Sequence, residues 1–211
     1  MMNRDLSRKR KRFEEVANNY SNLHIYSNTK EQLIISSGVL NFIWNHWNIF
    51  WRHYWIAHVS GGQNIDGSYI PPIHPNYSDK QCCHYLLYCC GKRSIHKYGD
   101  SIVGGYQEAT WGDPKIITDL ASHFSGIHTH TTTILGLLNH YKLFIEHFQL
   151  IRNSFIHLNN ENIYNLNKIV GYYIFNPSHR LIDILDTTEI SSSSKCFVNL
   201  VDNMKGMIIN L

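Results

Sequence analysis

The segment between residues 44 and 55 constrains the fold more than any other part of the chain, because it is dense in large aromatic side chains. The rings recur three, four, three and one positions apart, which is the periodicity of one helix face, at Trp44, Trp47, Trp51, Tyr54 and Trp55. Such a face is too apolar to stay in water. We therefore expect a helix from about Lys30 to Val59 that buries this stripe against other helices or a second protomer, rather than offering it for base stacking.

Other long segments are free of proline and nearly free of glycine, so they also favour helices. Evidence for strands is thin, and the strict alternation of apolar and polar residues that marks a strand is missing around 178–190. We expect helices at about 5–26, 78–90, from Pro114 with Asp113 as N-cap, 131–157, 159–175 and after 191–194. The predicted class is all-α: a bundle of long antiparallel helices forming a single domain over 1–211, with an irregular insertion at 60–113 and a C-terminal extension at 176–211.

Composition limits the class of protein further. Of the 211 residues, 43% are apolar and 17% are charged, which supports a buried core and excludes intrinsic disorder. No apolar run approaches about eighteen residues, so we expect no membrane partner. No apolar segment follows the basic N-terminus, so we expect no secretory signal and a cytoplasmic location. The net charge of +3 does not by itself indicate a nucleic-acid partner.

The cysteines and histidines do not have the spacing of a metal site. Four of the five cysteines form adjacent pairs, Cys82-Cys83 and Cys89-Cys90, seven positions apart. These pairs lack the short Cys-x-x-Cys spacing by which two thiolates hold one zinc ion, so we expect reduced core cysteines even with His84 beside them. No suitably spaced carboxylate accompanies the nearby histidines His123, His128 and His130. The sequence predicts no metal and no cofactor.

Two further charged features have both a functional and a structural interpretation. The basic run at 8–12 could contact phosphates, although a solvated helix face is the simpler interpretation. Glu108 lies among small and aromatic neighbours in the insertion. We include Glu108 as a candidate for orienting a catalytic group.

The segment 150–157, at the end of the predicted long helix, is the most informative for function. It places a cation, an amide and an imidazole within two helical turns, at Arg152, Asn153 and His157. Asn153 and His157 are four positions apart and share a helix face. Arg152 diverges from His157 by about 140° around the helix, but its side chain is long enough to reach that face. The alternative is a polar cluster that solvates the helix end.

The pattern Arg-Asn-x-x-x-His resembles the signature of the HEPN superfamily, and the chain is similar to small standalone bacterial HEPN proteins. The resemblance is carried by residues of about 130–175 and by the helical pattern, and it does not extend to 60–113. HEPN proteins are often metal-independent ribonucleases that serve as toxins or antiviral effectors. The resemblance therefore implies an endoribonuclease with Arg152, Asn153 and His157 as catalytic residues. It also implies RNA as the substrate, a homodimer with a composite site, and a cognate antitoxin or defence-system partner.

The residue types suit cleavage of RNA by its own 2′-hydroxyl. His157 suits proton transfer near neutral pH, and Arg152 suits a phosphate because its planar fork stays charged. One imidazole per chain cannot easily act as both base and acid, and a twofold dimer would supply a second. The alternative function is a catalytically inactive HEPN bundle that binds RNA or protein. A small-molecule sensor built on the aromatic residues is a third class.

Overall fold

The computed structural model describes residues 5–20, 29–157, 159–174 and 181–211. Most of these residues are helical, which confirms the all-α prediction. The α-helices of the described residues are α1 (Leu6–Tyr20), α2 (Thr29–Ser60), α3 (Asp79–Cys89), α4 (Pro114–Phe124), α5 (Thr131–Ile156), α6 (Asn160–Leu166) and α7 (Cys196–Ile209). None of them combines the length and the apolar character that a membrane-spanning segment needs.

Side chains at the helix ends explain where the helices begin. Ser78 forms a capping box with Gln81, in which the Gln81 side chain accepts a hydrogen bond from the Ser78 backbone N–H at 2.8 Å. Asp113 accepts from the backbone N–H of Lys115 at 2.8 Å, and Pro114 occupies the first position of α4. Both starts were predicted from the sequence.

The structure differs from the sequence prediction in the segment after residue 159. A helix was expected to about residue 175, but α6 ends at Leu166 and a 3₁₀ turn follows at Val170–Tyr172. The backbone N–H of Ile174 donates to the carbonyl of Thr188, and the N–H of Ile190 donates to the carbonyl of Tyr172. Backbone groups of residues 172 and 174, which would bond within a longer helix, therefore bond to the 188–190 segment instead. The end of the first predicted helix, at 21–26, lies outside the described residues.

A short hairpin in the insertion was also not predicted. Strands β1 (Gly62–Gln63) and β2 (Tyr69–Ile70) pair antiparallel, with Gly62 opposite Ile70. Their connection turns at Gly67, whose positive φ of 87° favours glycine. Strands this short carry too little alternation to be recognised from a sequence.

The chain divides into two compact units. Unit 1 comprises Met1–Arg12, Trp47–His140 and Asn210–Leu211, and unit 2 comprises Phe13–His46 and Tyr141–Ile209. Helices α1, α2 and α5 supply residues to both units. The single domain over 1–211 stays a prediction.

Unit 1 is built on the aromatic stripe of α2, which is core as predicted. Trp47, Trp51 and Trp55 are fully buried. Trp55 stacks on Phe124 of α4, with ring centroids 6.0 Å apart. The Trp47 indole N–H donates to the carbonyl of Gly112 at 2.8 Å. A Cβ at position 112 would lie 2.2 Å from the Trp47 ring, so only glycine fits there.

In unit 2 the first half of α2 runs antiparallel to the second half of α5. The register is set by Trp44, which stacks on Phe148 at 6.0 Å, and by Ser37, whose hydroxyl donates to the carbonyl of Phe155 at 3.3 Å. Helix α7 buries one apolar face, consisting of Cys196, Phe197, Leu200, Val201, Met204, Met207 and Ile208. The predicted antiparallel arrangement of long helices thus holds within this unit.

Each unit contains a buried histidine that is held neutral. His58, in unit 1, donates from Nδ1–H to the carbonyl of Tyr54 at 2.8 Å, and burial lowers its pKa to about 3. His147, in unit 2, is hydrogen-bonded through Nδ1 to the hydroxyl of Tyr173 at 3.0 Å. Burial lowers the pKa of His147 to about 4, against the opposing effect of Glu189. Both imidazoles resist protonation while the chain is folded.

We expect the free energy of unfolding to decrease as the pH falls from 7 to 5. The unfolded chain takes up a proton at each histidine near pH 6.5, whereas folded His58 and His147 stay neutral until about pH 3 and 4. The free energy of unfolding therefore has its full value above the histidine pKa of the unfolded chain. Below that pKa it falls by up to about 1.4 kcal/mol per pH unit for each imidazole. Urea denaturation at pH 7, 6 and 5 measures this slope. His147→Gln and His58→Gln should each reduce the slope, and slopes equal to that of the wild type would contradict this account.

Candidate active site

The predicted catalytic segment lies in unit 2, at the C-terminal end of α5. Antiparallel packing in this unit places residue 152 of α5 beside residue 41 of α2. The Arg152 Nη2 donates to the side-chain oxygen of Asn41 at 2.5 Å, and Nη1 donates to the side-chain oxygen of Asn153 at 2.9 Å. Two amides from two helices thus hold the guanidinium in place.

Arg152 has no negatively charged partner among the residues that the structure describes. Among the described residues its hydrogen bonds go only to neutral amides, and its Nε is buried without any hydrogen-bond partner. Burial lowers the pKa of Arg152, and no carboxylate offsets that effect. A partly desolvated cation without a counterion is costly, and the guanidinium has more N–H donors than its two bonds use. The geometry therefore leaves Arg152 able to take an anion.

His157 lies just beyond the end of α5 and is exposed to solvent. Its backbone is fixed: the N–H donates to the carbonyl of Asn153 at 2.8 Å, and the His157 carbonyl accepts from the side chain of Asn162 at 3.0 Å. The imidazole makes no hydrogen bond to any residue that the structure describes. The structure therefore brings Arg152 and Asn153 into direct contact and joins His157 to them through the backbone alone.

Asn41 belongs to this site and was not identified from the sequence. It lies on α2, 111 positions before Arg152. Its only sequence signal is a polar residue next to the aromatic stripe, and its partner depends on how α2 and α5 align. Asn41 could be identified from the sequence only if the antiparallel register of α2 and α5 were already known.

The structure places Glu108 in unit 1, where other groups occupy its carboxylate. Arg52 donates from Nε at 2.6 Å and from Nη2 at 3.0 Å, and the Trp111 indole N–H donates at 2.8 Å. Burial alone would raise the pKa of Glu108, but these hydrogen bonds outweigh it and leave the pKa below its ordinary value. Its described partners do not include the three predicted catalytic residues. Glu108 acts as a structural tie between α2 and the insertion.

The cysteines are free thiols, as predicted, and all of them except the partly exposed Cys89 are core residues. Cys82, Cys83 and Cys90 are buried, and burial raises the pKa of Cys83 to about 12. Such thiols stay protonated at neutral pH and are poor nucleophiles and poor metal ligands.

Two of the three histidines between positions 123 and 130 pack against His58, whereas His123 belongs to α4. His58 accepts at Nε2 from the Nε2–H of His130 at 2.6 Å, because its own Nδ1 already carries a proton. His128 donates from Nε2 to the carbonyl of His58 at 3.2 Å. His123 lies apart, with its ring edge-on to Phe124. The cluster uses neutral imidazoles as structural hydrogen-bonding groups.

The basic run at 8–12 lies on helix α1, and a helix was predicted there. Arg8, Lys11 and Arg12 are exposed, whereas Lys9 and Arg10 are half-buried. The run is thus a partly solvated helix face that adds general positive charge.

Comparison with protein-family models, curated proteins and solved structures finds no match for this chain. The side chains described above are therefore the basis for a functional proposal.

We expect the two half-buried arginines to respond differently to loss of charge. Arg152→Met removes a cation that has no counterion in the described part of the chain and keeps the apolar stem, so the free energy of unfolding should stay unchanged or increase. Arg52→Met leaves the Glu108 carboxylate without its cation and should cost at least about 2 kcal/mol more than Arg152→Met. Urea denaturation of both variants at pH 7 tests this difference. Equal destabilisation would show that Arg152 is a structural residue like Arg52.

Proposed function

We propose that the chain is a metal-independent endoribonuclease of HEPN type, acting as a toxin or a defence effector, that cleaves RNA through its 2′-hydroxyl. The proposal is supported by the guanidinium of Arg152, which two amides hold in place and which no carboxylate of the described residues neutralises. An exposed histidine follows at the end of the same helix.

Arg152 would bind the scissile phosphate. Its remaining N–H groups match phosphate oxygens in a forked geometry, and its charge opposes the negative charge that builds up on the phosphorane. Asn41 and Asn153 would hold the fork rigid, because the side-chain oxygens of both accept hydrogen bonds from this one group. A preorganised cation of this kind does not have to reorient during the reaction.

His157 would transfer the protons. The 2′-oxygen attacks phosphorus after losing its proton to a base, the bond from phosphorus to the 5′-oxygen breaks, and an acid protonates the leaving 5′-oxygen. An imidazole suits both roles near neutral pH, and the exposed position of His157 leaves it accessible to a strand. The substrate supplies its own nucleophile, so this route does not require a metal-bound hydroxide.

A second copy of the chain would complete the site. One imidazole cannot take a proton and deliver another in the same step, whereas a twofold axis near His157 would bring two imidazoles to one strand. Hydrogen bonds within the chain hold the side chain of Arg152, whereas the side chain of His157 is exposed. This exposure suits an imidazole that acts together with groups of another molecule.

An inactive module that binds RNA is the alternative, and one observation favours it. Within the chain, the His157 imidazole makes no hydrogen bond to Arg152 or Asn153, so the anion site could exist without the proton-transfer group acting on it. The two functions differ in what His157 does: it is essential for cleavage and dispensable for binding.

We expect the purified chain to cleave labelled single-stranded RNA with a chelator in excess, and His157→Ala to slow cleavage at least about 100-fold. Arg152→Ala should slow it comparably and also weaken RNA binding, and Arg152→Lys should recover part of the binding but little cleavage. His46→Ala and Lys168→Ala remove an imidazole and an exposed cation elsewhere in unit 2 and should retain activity. RNA binding that depends on Arg152 without any cleavage would establish the module instead. Full cleavage by both His157→Ala and Arg152→Ala would remove these residues from the mechanism.

A further inference from the structure

A turn after α3 brings a histidine and a carboxylate to the same side of the chain. The backbone N–H of Asp100 donates to the carbonyl of Lys97 at 3.0 Å, and Gly99 has the positive φ, 90°, that such a turn needs at its third position. The Asp100 carboxylate accepts in return from the backbone N–H of Lys97 at 2.8 Å. The turn thus fixes Asp100 close to His96.

Helix α3 holds this turn and supplies a second histidine. The Gln81 side chain donates to the carbonyl of Gly99 at 3.4 Å, and the backbone N–H of Ile102 donates to the carbonyl of Lys80 at 3.2 Å. His84 lies one helical turn after these two anchors and is buried. Its Nδ1 is 3.0 Å from the Nδ1 of His96. One ligand atom each from His84, His96 and Asp100 therefore lie within 4.8 Å of one another.

The orientation of the His96 ring is set by a tyrosine behind it. The Tyr77 hydroxyl is 3.2 Å from His96 Nε2, and Tyr77 itself is buried. With Nε2 occupied in this way, Nδ1 is the nitrogen left for the cluster. Histidine ligands in metal sites commonly hold their second nitrogen on such a partner, which fixes the tautomer and the ring direction.

Burial disfavours the protonated form of both imidazoles. Burial lowers the pKa of His84, and the nearby Arg93 lowers it further, with Asp100 opposing. Burial also lowers the pKa of His96, assisted by His84 and opposed by Asp100. Only a neutral imidazole has the lone pair that a metal ion needs. Two nitrogens on one tetrahedral zinc ion are about 3.3 Å apart for bonds of about 2.0–2.1 Å, so the pair needs to open by only a few tenths of an ångström.

We propose that His84, His96 and Asp100 form a site for one divalent transition-metal ion, with zinc as the representative ion. Two imidazoles and one carboxylate are the ligands that zinc and iron(II) take in open sites, and they leave room for water or a substrate group. His96 and Asp100 are only partly buried, so an ion can enter from solvent. The site lies wholly in unit 1, whereas the proposed nuclease residues lie in unit 2. It was not predicted: the sequence indicated no metal, and His84 was considered only beside the adjacent cysteines.

The test is a titration of the full chain, first stripped with a chelator, with Zn²⁺ against a chromophoric indicator, and with Co²⁺ read by its visible absorption. We expect one ion per chain. His84→Ala and His96→Ala should each weaken binding at least about 100-fold, and Tyr77→Phe about tenfold. Asp100→Asn keeps the acceptor for the Lys97 N–H, so it should preserve the fold while it weakens binding about 10- to 100-fold and changes the Co²⁺ spectrum.

The controls are His123→Ala and Asp66→Asn, which remove an exposed histidine and an exposed carboxylate elsewhere in unit 1. Both should bind like the wild type. The proposal is overturned if the wild type binds no stoichiometric ion. It is equally overturned if Asp100→Asn, folded as judged by circular dichroism, binds both ions with unchanged affinity and spectrum.

Discussion

Burial of one aromatic face of α2 is the constraint on which the rest of the structure depends. Trp47, Trp51 and Trp55 are fully removed from solvent. A tryptophan buries about 150–250 Å², which at about 25 cal/mol per Å² gives roughly 4–6 kcal/mol for each ring before entropy is counted. This burial also determines the residue at position 112, because only glycine lets the insertion lie against Trp47. Helix α4 is in turn held by the stacking of Phe124 on Trp55.

Polar residues of the long helices that lie near the buried rings need hydrogen-bond partners, and the chain provides them in two ways. Arg52 meets Glu108 in a two-point ion pair, which raises the pKa of Arg52 although burial acts to lower it. Among its described neighbours, Arg152 forms hydrogen bonds only to amides, and burial lowers its pKa. A chain that folds for stability alone would favour the first solution. The second is the arrangement expected of a cation kept for a ligand.

Much of the fold was predictable because it depends on local sequence. The stripe of α2, the caps at Ser78 and Asp113 and the extent of α5 follow from periodicity and from side chains within a few residues. The end of α6 was not predictable, because the segment after it forms hydrogen bonds with backbone groups 14 or more positions away in the sequence. The same limit applies to the sites. Arg152 and Asn153 could be selected as neighbours in one motif, but the pairing of Arg152 with Asn41 depends on tertiary register.

The central claim is that Arg152 and His157 act on an RNA phosphate through the adjacent 2′-hydroxyl. The most direct measurement is the chemical identity of the RNA ends produced with metal chelated, on a substrate and on its copy carrying a single 2′-deoxy sugar at the cleavage site. The account predicts a 2′,3′-cyclic phosphate and a 5′-hydroxyl, and no cleavage at the deoxy position. Products with a 5′-phosphate, or cleavage that persists at the deoxy sugar, would contradict it.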